Sequence, residues 1–209
     1  MQDGRQGLLV VLSGPSGVGK GTVCRKLLES NPDMTLSISV TTRPRREGET
    51  EGRDYFYRSK EEFSRMARDG EFLEYTRVFG THCYGTPKKY VQEQLKLGRD
   101  VILEIDVQGG LRVKEVCPDA VLVFLAPPSM EELKRRLISR GTENEESIER
   151  RTDVAYSEMQ CITYYDYVVI NSTVEQSAVG LEAIIHAEKS RVSRSEDLIS
   201  LLLEGCDPV

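Results

Sequence analysis

The chain has 209 residues, of which 39% are hydrophobic and 30% charged, and its formal net charge is −6 at pH 7. This composition fits one soluble domain with small insertions, and the acidic balance argues against nucleic-acid binding, which usually needs a basic surface. The five cysteines are irregularly spaced and the apolar runs are short, so we expect no zinc site, disulfide framework or membrane span, and a cytoplasmic location.

Buried strands and helices alternate along most of the chain. LLVVL (8–12) is a continuous apolar run, typical of a strand buried on both faces, and an amphipathic helix is predicted over 20–30. Later apolar runs predict buried strands at 100–106, 120–126 and 166–171. The alternation predicts an α/β fold whose parallel-sheet core carries helices on both faces.

One segment, 39–85, interrupts this alternation. Its short strand patterns, DYFYR and EFLEYTRVF, predict a small antiparallel insertion. Helix starts are predicted by capping boxes at Ser59–Glu62 and Ser129–Glu132, and Thr86-Pro87 predicts an N-cap followed by proline at the first helical position. The pattern after Ser195 predicts a terminal amphipathic helix.

The strongest chemical signal is a glycine-rich loop between the first strand and the first helix. Its N–H groups would surround a phosphate, the helix N-terminus would add positive potential, and Lys20 would reach the β- and γ-phosphates. The residues concerned are Gly14, Pro15, Ser16, Gly17, Val18, Gly19, Lys20, Gly21 and Thr22. Gly21 stands where the strict motif has Ser or Thr, so we expect Mg²⁺ to be held by Thr22 or mainly through phosphates and water.

Two carboxylates stand near the end of the strand predicted at 100–106. Glu104 and Asp106 are two positions apart, so we expect both to project to the same side, at the sheet edge where α/β proteins bind ligands. Buried carboxylates are costly unless they meet a cation or hydrogen-bond donors. The alternative is that Asp106 caps the following helix.

Arginines are concentrated in two segments of this acidic chain. Residues 39–57 hold four arginines and four acids without a regular period, which predicts a loop. In the second segment, Arg136 and Arg140 share a helix face, and Arg151 follows a predicted capping box at Thr142–Glu145. The arrangement predicts a lid whose arginines neutralise a transferring phosphoryl group, or else surface arginines that pair with neighbouring glutamates.

Taken together, these features resemble guanylate kinases, from about Leu8 to Ala187. The motifs that carry the resemblance, in order, are GPSGVGKGT, SISVTTRPRREGETEGRDYFY, GEFLEY, CYGTP, LEIDVQG and RRLISRGTENEESIERR. The resemblance implies a P-loop kinase that transfers the γ-phosphate of ATP to GMP, and to dGMP as well, with Mg²⁺. It also implies a core at 1–38, 87–128 and 161–209, a GMP-binding domain at 39–86 and a lid at 129–160.

The resemblance also implies roles for individual residues. Guanine would be bound by Ser39, Glu74, Thr86 and Asp106, with Glu104 in the same GMP site. The GMP phosphate would be bound by Arg43, Arg46, Tyr55 and Tyr84. Lys20, Arg136, Arg140 and Arg151 would act on the transferring group, and Asn171 would lie near the adenine of ATP.

Two points in the first arginine segment stay open. Pro44 lies one place earlier than in many relatives, so Arg45 and Arg46 compete for one phosphate contact, and the spacing from Gly48 favours Arg46. We also expect nearby acids, with Asp54 as the one to test, to keep the segment from attracting anions in general.

Other functions fit the sequence less well. A non-catalytic guanylate-kinase-like module that binds proteins is disfavoured by the intact phosphate loop, and a kinase with another phosphorylated acceptor is disfavoured by Ser39, Glu74 and Thr86. No motor segment of a P-loop ATPase is evident, and the sequence leaves the oligomeric state open.

Overall fold

The structure is a computed structural model that describes residues 6–78, 81–139 and 145–204. Within these ranges the strands are β1 (Leu9–Ser13), β2 (Thr35–Leu36), β3 (Val40–Thr41), β4 (Phe56–Tyr57), β5 (Phe72–Val78), β6 (His82–Pro87), β7 (Val101–Glu104), β8 (Val121–Ala126) and β9 (Tyr167–Ile170). The helices are α1 (Lys20–Ser30), α2 (Lys60–Arg68), α3 (Lys88–Lys96), α4 (Val107–Val116), α5 (Met130–Ser139), α6 (Glu145–Gln160), α7 (Val174–Lys189) and α8 (Glu196–Leu203).

The main sheet is parallel, with the strand order β2-β7-β1-β8-β9. β1 lies at its centre, where Val10 is paired with Ile102 on one side and with Val121 on the other. The predicted α/β fold with a parallel-sheet core is confirmed. β2 was not predicted, because a strand of two residues is too short to show an alternation of apolar and polar residues.

Both faces of this sheet are buried, which explains why β1 is apolar throughout. Val10 and Leu12 belong to one core cluster with residues of α1 and α7. Leu9 and Val11 belong to a second cluster with residues of α3 and α4. Successive side chains of a strand face opposite sides, so a strand between two helical layers is apolar at every position.

A second sheet, in the order β4-β3-β6-β5, occupies the predicted insertion. β6 is antiparallel to both β3 and β5, but β3 and β4 are parallel. The antiparallel prediction is therefore wrong for β4, because the intervening residues 42–55 are long enough for the crossover that a parallel pair needs. α2 covers this sheet, and the ring of Phe63 stacks on Phe72 at a centroid distance of 4.7 Å.

The two predicted capping boxes differ in the structure. At α2 the box is complete, because Glu62 N donates to Ser59 Oγ at 3.1 Å and Ser59 N donates to Glu62 Oε2 at 2.8 Å. At α5, Glu132 N donates to Ser129 Oγ, but the Glu132 carboxylate accepts from Arg136 Nε at 2.7 Å. The second box is therefore only half formed, because an arginine one turn further along competes for the glutamate.

Two predictions at the ends of strands are wrong by one or two residues. α3 begins at Lys88 after Pro87, which closes β6, and Thr86 does not cap the helix. β7 ends at Glu104, and Asp106 is the N-cap of α4, with Oδ1 accepting from Gly109 N at 2.7 Å. The strand alternation therefore does not extend to Asp106, and the alternative reading of Asp106 as a helix cap is the one observed.

Part of the segment predicted as a lid contributes side chains to the hydrophobic core. Leu133 and Leu137 of α5 and Ala155 of α6 are fully buried in the cluster that contains β1. Arg140 and the start of the capping box predicted at Thr142–Glu145 lie outside the described residues. None of the described helices combines the length and the hydrophobicity needed to cross a bilayer.

Replacing Ser59 with alanine should lower the free energy of unfolding by about 1 kcal/mol, because the N–H of Glu62 loses its acceptor at the start of α2. Urea denaturation at neutral pH measures the change. Ser64→Ala, at an exposed position within the same helix, is the matched control and should cost nothing, since alanine is the better helix former. Equal losses in the two variants would contradict the role of the cap.

Candidate active site

The glycine-rich loop closes around its own lysine. Gly17 and Gly19 have φ angles of 87° and 102°, in the left-handed region that favours glycine. α1 then begins at Lys20, whose Nζ donates back to the carbonyl oxygens of Gly14 at 2.6 Å and Pro15 at 3.3 Å. This is the geometry expected of a phosphate-binding loop, in which the lysine spans the opening of the loop.

Neighbouring side chains leave no room for larger residues in the loop. A Cβ atom on Gly17 would lie 2.7 Å from a methyl carbon of Leu137, and one on Gly19 would lie 2.8 Å from Asn171 Nδ2. The Asn171 amide donates to Val18 O at 2.7 Å and accepts from Ser177 Oγ at 3.0 Å. Asn171 therefore supports the loop with its side chain. Its position at the end of a strand would by itself indicate only a turn residue.

A cleft of about 340 Å³ lies beside the loop. It is lined by Gly17, Val18, Gly19, Thr22, Arg136, Asn171, Ser172, Thr173 and Val174. The Arg136 guanidinium donates to Val18 O at 3.3 Å and to Asn171 O at 3.1 Å, as well as to Glu132. Arg136 therefore pairs with Glu132 of its own helix and also reaches the phosphate loop, and its action on a transferring phosphoryl group stays a prediction.

Helix α6 contacts the loop from the other side through Ser16. Arg151 Nη2 donates to Ser16 Oγ at 2.6 Å. Glu158, on the same helix, lies in the field of the Lys20 ammonium. Arg151, which was predicted as a lid residue that acts on the transferring group, is thus brought to the phosphate loop, whereas Glu158 was not predicted as a site residue. No sequence pattern could identify Glu158, because the residues of the phosphate loop lie far from it along the chain.

Several carboxylates surround the Lys20 ammonium. Burial lowers the pKa of Lys20, and the negative charges of Glu104, Glu158 and Asp106 oppose that shift. Burial also raises the pKa of Glu158. The loop therefore carries a cation whose charge is balanced by acids from β7, α6 and the start of α4.

Glu104 and Asp106 serve different parts of the site. Glu104 Oε1 lies 3.2 Å from the point that a Cβ atom of Gly21 would occupy, so its carboxylate adjoins the phosphate loop. Asp106 caps α4 and lies in the electrostatic field of Glu74. The two acids were predicted to project together because the strand was expected to reach Asp106.

A buried carboxylate and a hydroxyl form a second polar group of the site. Thr86 Oγ1 donates to Glu74 Oε1 at 2.7 Å, and both residues are buried. Burial raises the pKa of Glu74 to about 7, and the charge of Asp106 adds to the shift. Ser39 adjoins this pair, because the antiparallel register that pairs Val40 with Gly85 brings Ser39 beside Thr86.

An arginine and two tyrosines form a third group. Arg43 is buried, and its Cζ atom lies 5.3 Å from the centroid of the Tyr55 ring. The Tyr55 and Tyr84 rings meet edge to face at a centroid distance of 5.8 Å. These three predicted residues are therefore brought together from the loop after β3, from β6 and from the loop before β4.

Glu49 orients this arginine and was missed by the sequence-based prediction. Its carboxylate accepts from Arg43 Nη2 at 2.7 Å, from Arg46 N at 2.8 Å and from the Tyr57 hydroxyl at 2.7 Å. These bonds, that of Arg43 first, lower the pKa of Glu49 to about 2. The Asp54 carboxylate accepts from Thr50 N at 2.7 Å, and the expected effect of the nearby acids on anion binding stays a prediction.

Arg45 and Arg46 are both exposed, but their surroundings differ. The main chain of Arg46 bonds to Glu49, the partner of Arg43. The charge of Arg45 acts on Glu51, which is paired with Arg58. Arg46 therefore belongs to the turn that carries the arginine–tyrosine group.

A larger cavity, of about 1120 Å³, lies at the opposite end of the main sheet. Its lining charges are engaged with one another: Glu188 accepts from Tyr167 and pairs with Arg191, and Asp100 pairs with Lys189. This cavity contains none of the predicted site residues, and its ion pairs fasten the C-terminal segment to the sheet.

Comparisons with known proteins point to one family. A family model described as guanylate kinase matches residues 6–188. The guanylate kinase of Caldanaerobacter subterraneus subsp. tengcongensis is 53% identical over 194 residues, covering 93% of this chain and 94% of that protein. The guanylate kinase of Clostridioides difficile is 50% identical over 195 residues, covering 93% of this chain and 95% of that protein. A crystal structure of guanylate kinase from Anaplasma phagocytophilum is similar with a TM-score of 0.79 at 36% identity, covering 98% of this chain and 97% of that one.

The Glu74→Gln variant should be more stable than the wild type at pH 8, by up to about 3 kcal/mol, because the buried carboxylate is charged there and the amide still accepts from Thr86. Since the folded pKa lies above the unfolded one, protonation relieves this cost as the pH falls through 7 towards 4.5. Urea denaturation of both proteins at pH 8 and pH 5 measures the difference. A difference that stays the same at the two pH values would contradict the raised pKa.

Proposed function

The chain belongs to the guanylate kinase family, and from this membership we propose how its residues transfer the γ-phosphoryl group of ATP to GMP, giving ADP and GDP. The observation that carries the assignment of the GMP site is the buried pair of Glu74 and Thr86, beside Asp106 and close to the phosphate loop. A non-catalytic binding module and a kinase for another phosphorylated acceptor are not favoured.

Guanine recognition is assigned to the Glu74 pocket. Guanine presents two adjacent donors, N1–H and the 2-amino group, and one carboxylate accepts both. Thr86 and Ser39 supply hydroxyls beside Glu74, and Asp106 supplies a further acceptor. Adenine lacks N1–H and the 2-amino group, so it would leave a buried carboxylate without partners, and sites of this kind reject the wrong ligand by about 10⁴-fold or more.

The GMP phosphate is assigned to the arginine–tyrosine group. Guanidinium groups bind phosphate oxygens in a two-pronged fashion, and tyrosine hydroxyls add neutral donors. Arg43, Tyr55 and Tyr84 would bind it, with Arg46 as the second arginine. Glu49 would hold Arg43 in the orientation for binding, which makes it a positioning residue and not a direct ligand.

ATP is assigned to the phosphate loop and to the adjoining cleft. The backbone N–H groups of Gly17 to Thr22 would surround the phosphates, with Lys20 near the β- and γ-phosphates. The cleft lined by Arg136 and Asn171 would take the remainder of the nucleotide. Asn171 would support the site mainly through its bond to Val18.

Transfer itself needs no general base, because the attacking atom is already an anionic phosphate oxygen of GMP. That oxygen bonds to the γ-phosphorus, the bond from the γ-phosphorus to the bridging oxygen of ADP breaks, and ADP leaves. Lys20, Arg136 and Arg151 would neutralise the charge on the transferring group and keep the reactants in line. Arg140, which lies outside the described residues, is assigned this role on the resemblance alone.

Mg²⁺ fits this site as an ion carried largely by the phosphates. Within the described residues, no group of three or more His, Cys, Asp or Glu side chains could hold a metal. Oxygen donors, which Mg²⁺ prefers, do adjoin the loop: the Thr22 hydroxyl lines the cleft, and the Glu104 carboxylate adjoins Gly21. When bound, the ion would neutralise part of the charge on the phosphates of ATP, and Thr22 and Glu104 are the residues that would face it.

The division into a core, a GMP-binding domain at 39–86 and a lid at 129–160 is kept as a proposal. The second sheet supports the middle domain, because β3 to β6 lie almost entirely within it. The burial of Leu133 and Leu137 supports a moving part that is narrower than 129–160.

Cys24, Cys83, Cys117 and Cys161 are free thiols, which supports a reducing compartment such as the cytoplasm.

A panel of nucleoside monophosphates tests the proposed acceptor. In a coupled assay of ADP release, GMP and dGMP should be phosphorylated, since no residue is assigned to the ribose, and AMP should react with a kcat/KM about 10⁴-fold lower. CMP and UMP should also be poor acceptors. Equal rates with GMP and AMP would refute the assignment of the guanine pocket.

Substitutions of the three arginines test the phosphate site. Arg43→Ala and Arg46→Ala should each raise the KM for GMP by about 10-fold or more, through the loss of a charge-assisted hydrogen bond, with little change in the KM for ATP. Arg45→Ala is the matched control, since it removes the same charge from the adjacent position. A larger effect on GMP from Arg45→Ala than from Arg46→Ala would reverse that assignment, and an effect on ATP alone would contradict the site map.

A further inference from the structure

Helix α4 has two adjacent glycines, Gly109 and Gly110, in its first turn. Neither has a φ angle in the left-handed region, and glycine is a poor helix former, so the backbone alone does not account for them. A Cβ atom on Gly110 would lie 2.6 Å from the Tyr165 hydroxyl and 2.7 Å from Ser13 Oγ. Gly110 is therefore explained by close packing against these two side chains, and Gly109 needs a separate explanation.

Gly109 is buried against the carboxylate of Glu74. A Cβ atom at position 109 would lie 3.0 Å from Glu74 Oε2, which is closer than ordinary van der Waals contact. A methyl group there would therefore push this oxygen aside by a few tenths of an ångström. The N–H of Gly109 already donates to Asp106 Oδ1 at 2.7 Å, so Gly109 contributes to the contact with Glu74 through the space that it leaves.

Two further contacts fix Glu74 in this place. Thr86 Oγ1 donates at 2.7 Å to Oε1, the other oxygen of the carboxylate. Arg112, one turn after Gly109 on α4, donates through Nη1 to the carbonyl oxygen of Tyr75 at 2.6 Å, which holds β5 against the helix beside Glu74. One carboxylate oxygen is thus fixed by a hydroxyl of the second sheet, and the other packs against a helix that covers the main sheet.

We propose that Gly109 is a positioning residue for guanine, because the space that it leaves sets where Glu74 accepts the two N–H groups of the base. The proposal rests on the assignment of guanine to Glu74, and it adds a determinant of specificity that lies outside the segment 39–86. Two adjacent N–H donors need both carboxylate oxygens within hydrogen-bonding distance at once. A shift of Oε2 alone therefore breaks one of the two hydrogen bonds.

Gly109→Ala tests the proposal by adding the missing Cβ atom. The KM for GMP should rise by about 10-fold, the effect of losing one hydrogen bond to a charged group, whereas kcat and the KM for ATP should stay unchanged. A coupled assay of ADP release, with each substrate varied in turn, measures these constants. Gly180→Ala, within α7, is the matched control, because its Cβ atom would lie 3.6 Å from Val169 in ordinary contact. It should change none of the three constants.

A second background shows whether the effect acts through Glu74. In the Glu74→Ala variant nothing remains for the added Cβ atom to displace, so Gly109→Ala should not raise the KM for GMP any further. An equal rise in both backgrounds would overturn the positioning role. If Gly109→Ala alone does not fold, the double variant should fold because the collision is gone, and failure of both to fold would also overturn it.

Turnover of GMP by the wild type separates this proposal from the proposed function. If the wild type phosphorylates GMP and Gly109→Ala leaves the KM for GMP unchanged, the positioning role fails and the proposed function stands. If the wild type does not phosphorylate GMP, the proposed function fails, and the positioning role fails with it.

Discussion

The site is organised around one partly dehydrated cation, the ammonium of Lys20. It donates to the carbonyls of Gly14 and Pro15, so that the loop closes on the helix that follows it. Glu104 from β7, Asp106 at the start of α4 and Glu158 from α6 all lie in its field. A cation removed from water needs such compensation, and three separate elements of the core are held at one point because each supplies part of it.

In the proposed GMP site, by contrast, the binding side chains are already ordered, and neighbouring groups balance their charges only in part. Arg43 is fixed by Glu49 and by the Pro44 carbonyl, and its guanidinium lies beside the Tyr55 ring, which meets the Tyr84 ring edge to face. Glu74 is buried with one hydroxyl donor from Thr86. Such preorganisation lowers the cost of binding, because side chains that are already ordered lose little further freedom.

The sequence predicts those parts whose causes are local. The phosphate loop was predictable because its glycines and Lys20 are adjacent, and the cap at Ser59 was predictable because its partner is three residues away. The role of Glu49 was not, although its partners Arg43, Arg46 and Tyr57 are local, because a loop without a period does not indicate which of its charges meet. The approach of Glu158 to Lys20 was not predictable either, because it depends on a fold that brings distant residues together. Likewise, an apolar run does not reveal its last paired residue, so the end of β7 at Glu104 was missed, and with it the separation of Glu104 from Asp106.

The raised pKa of Glu74 has a consequence for the thermodynamics of substrate binding. With this pKa at about 7, the free enzyme binds a proton on this carboxyl near neutral pH, whereas the proposed recognition of guanine needs the ionised form as an acceptor. If Glu74 binds guanine as proposed, binding of GMP at neutral pH is coupled to the release of a proton into the solvent. The observed heat of binding would include the ionisation enthalpy of the buffer. Lowering the pH would weaken the affinity for GMP without altering any contact to ATP.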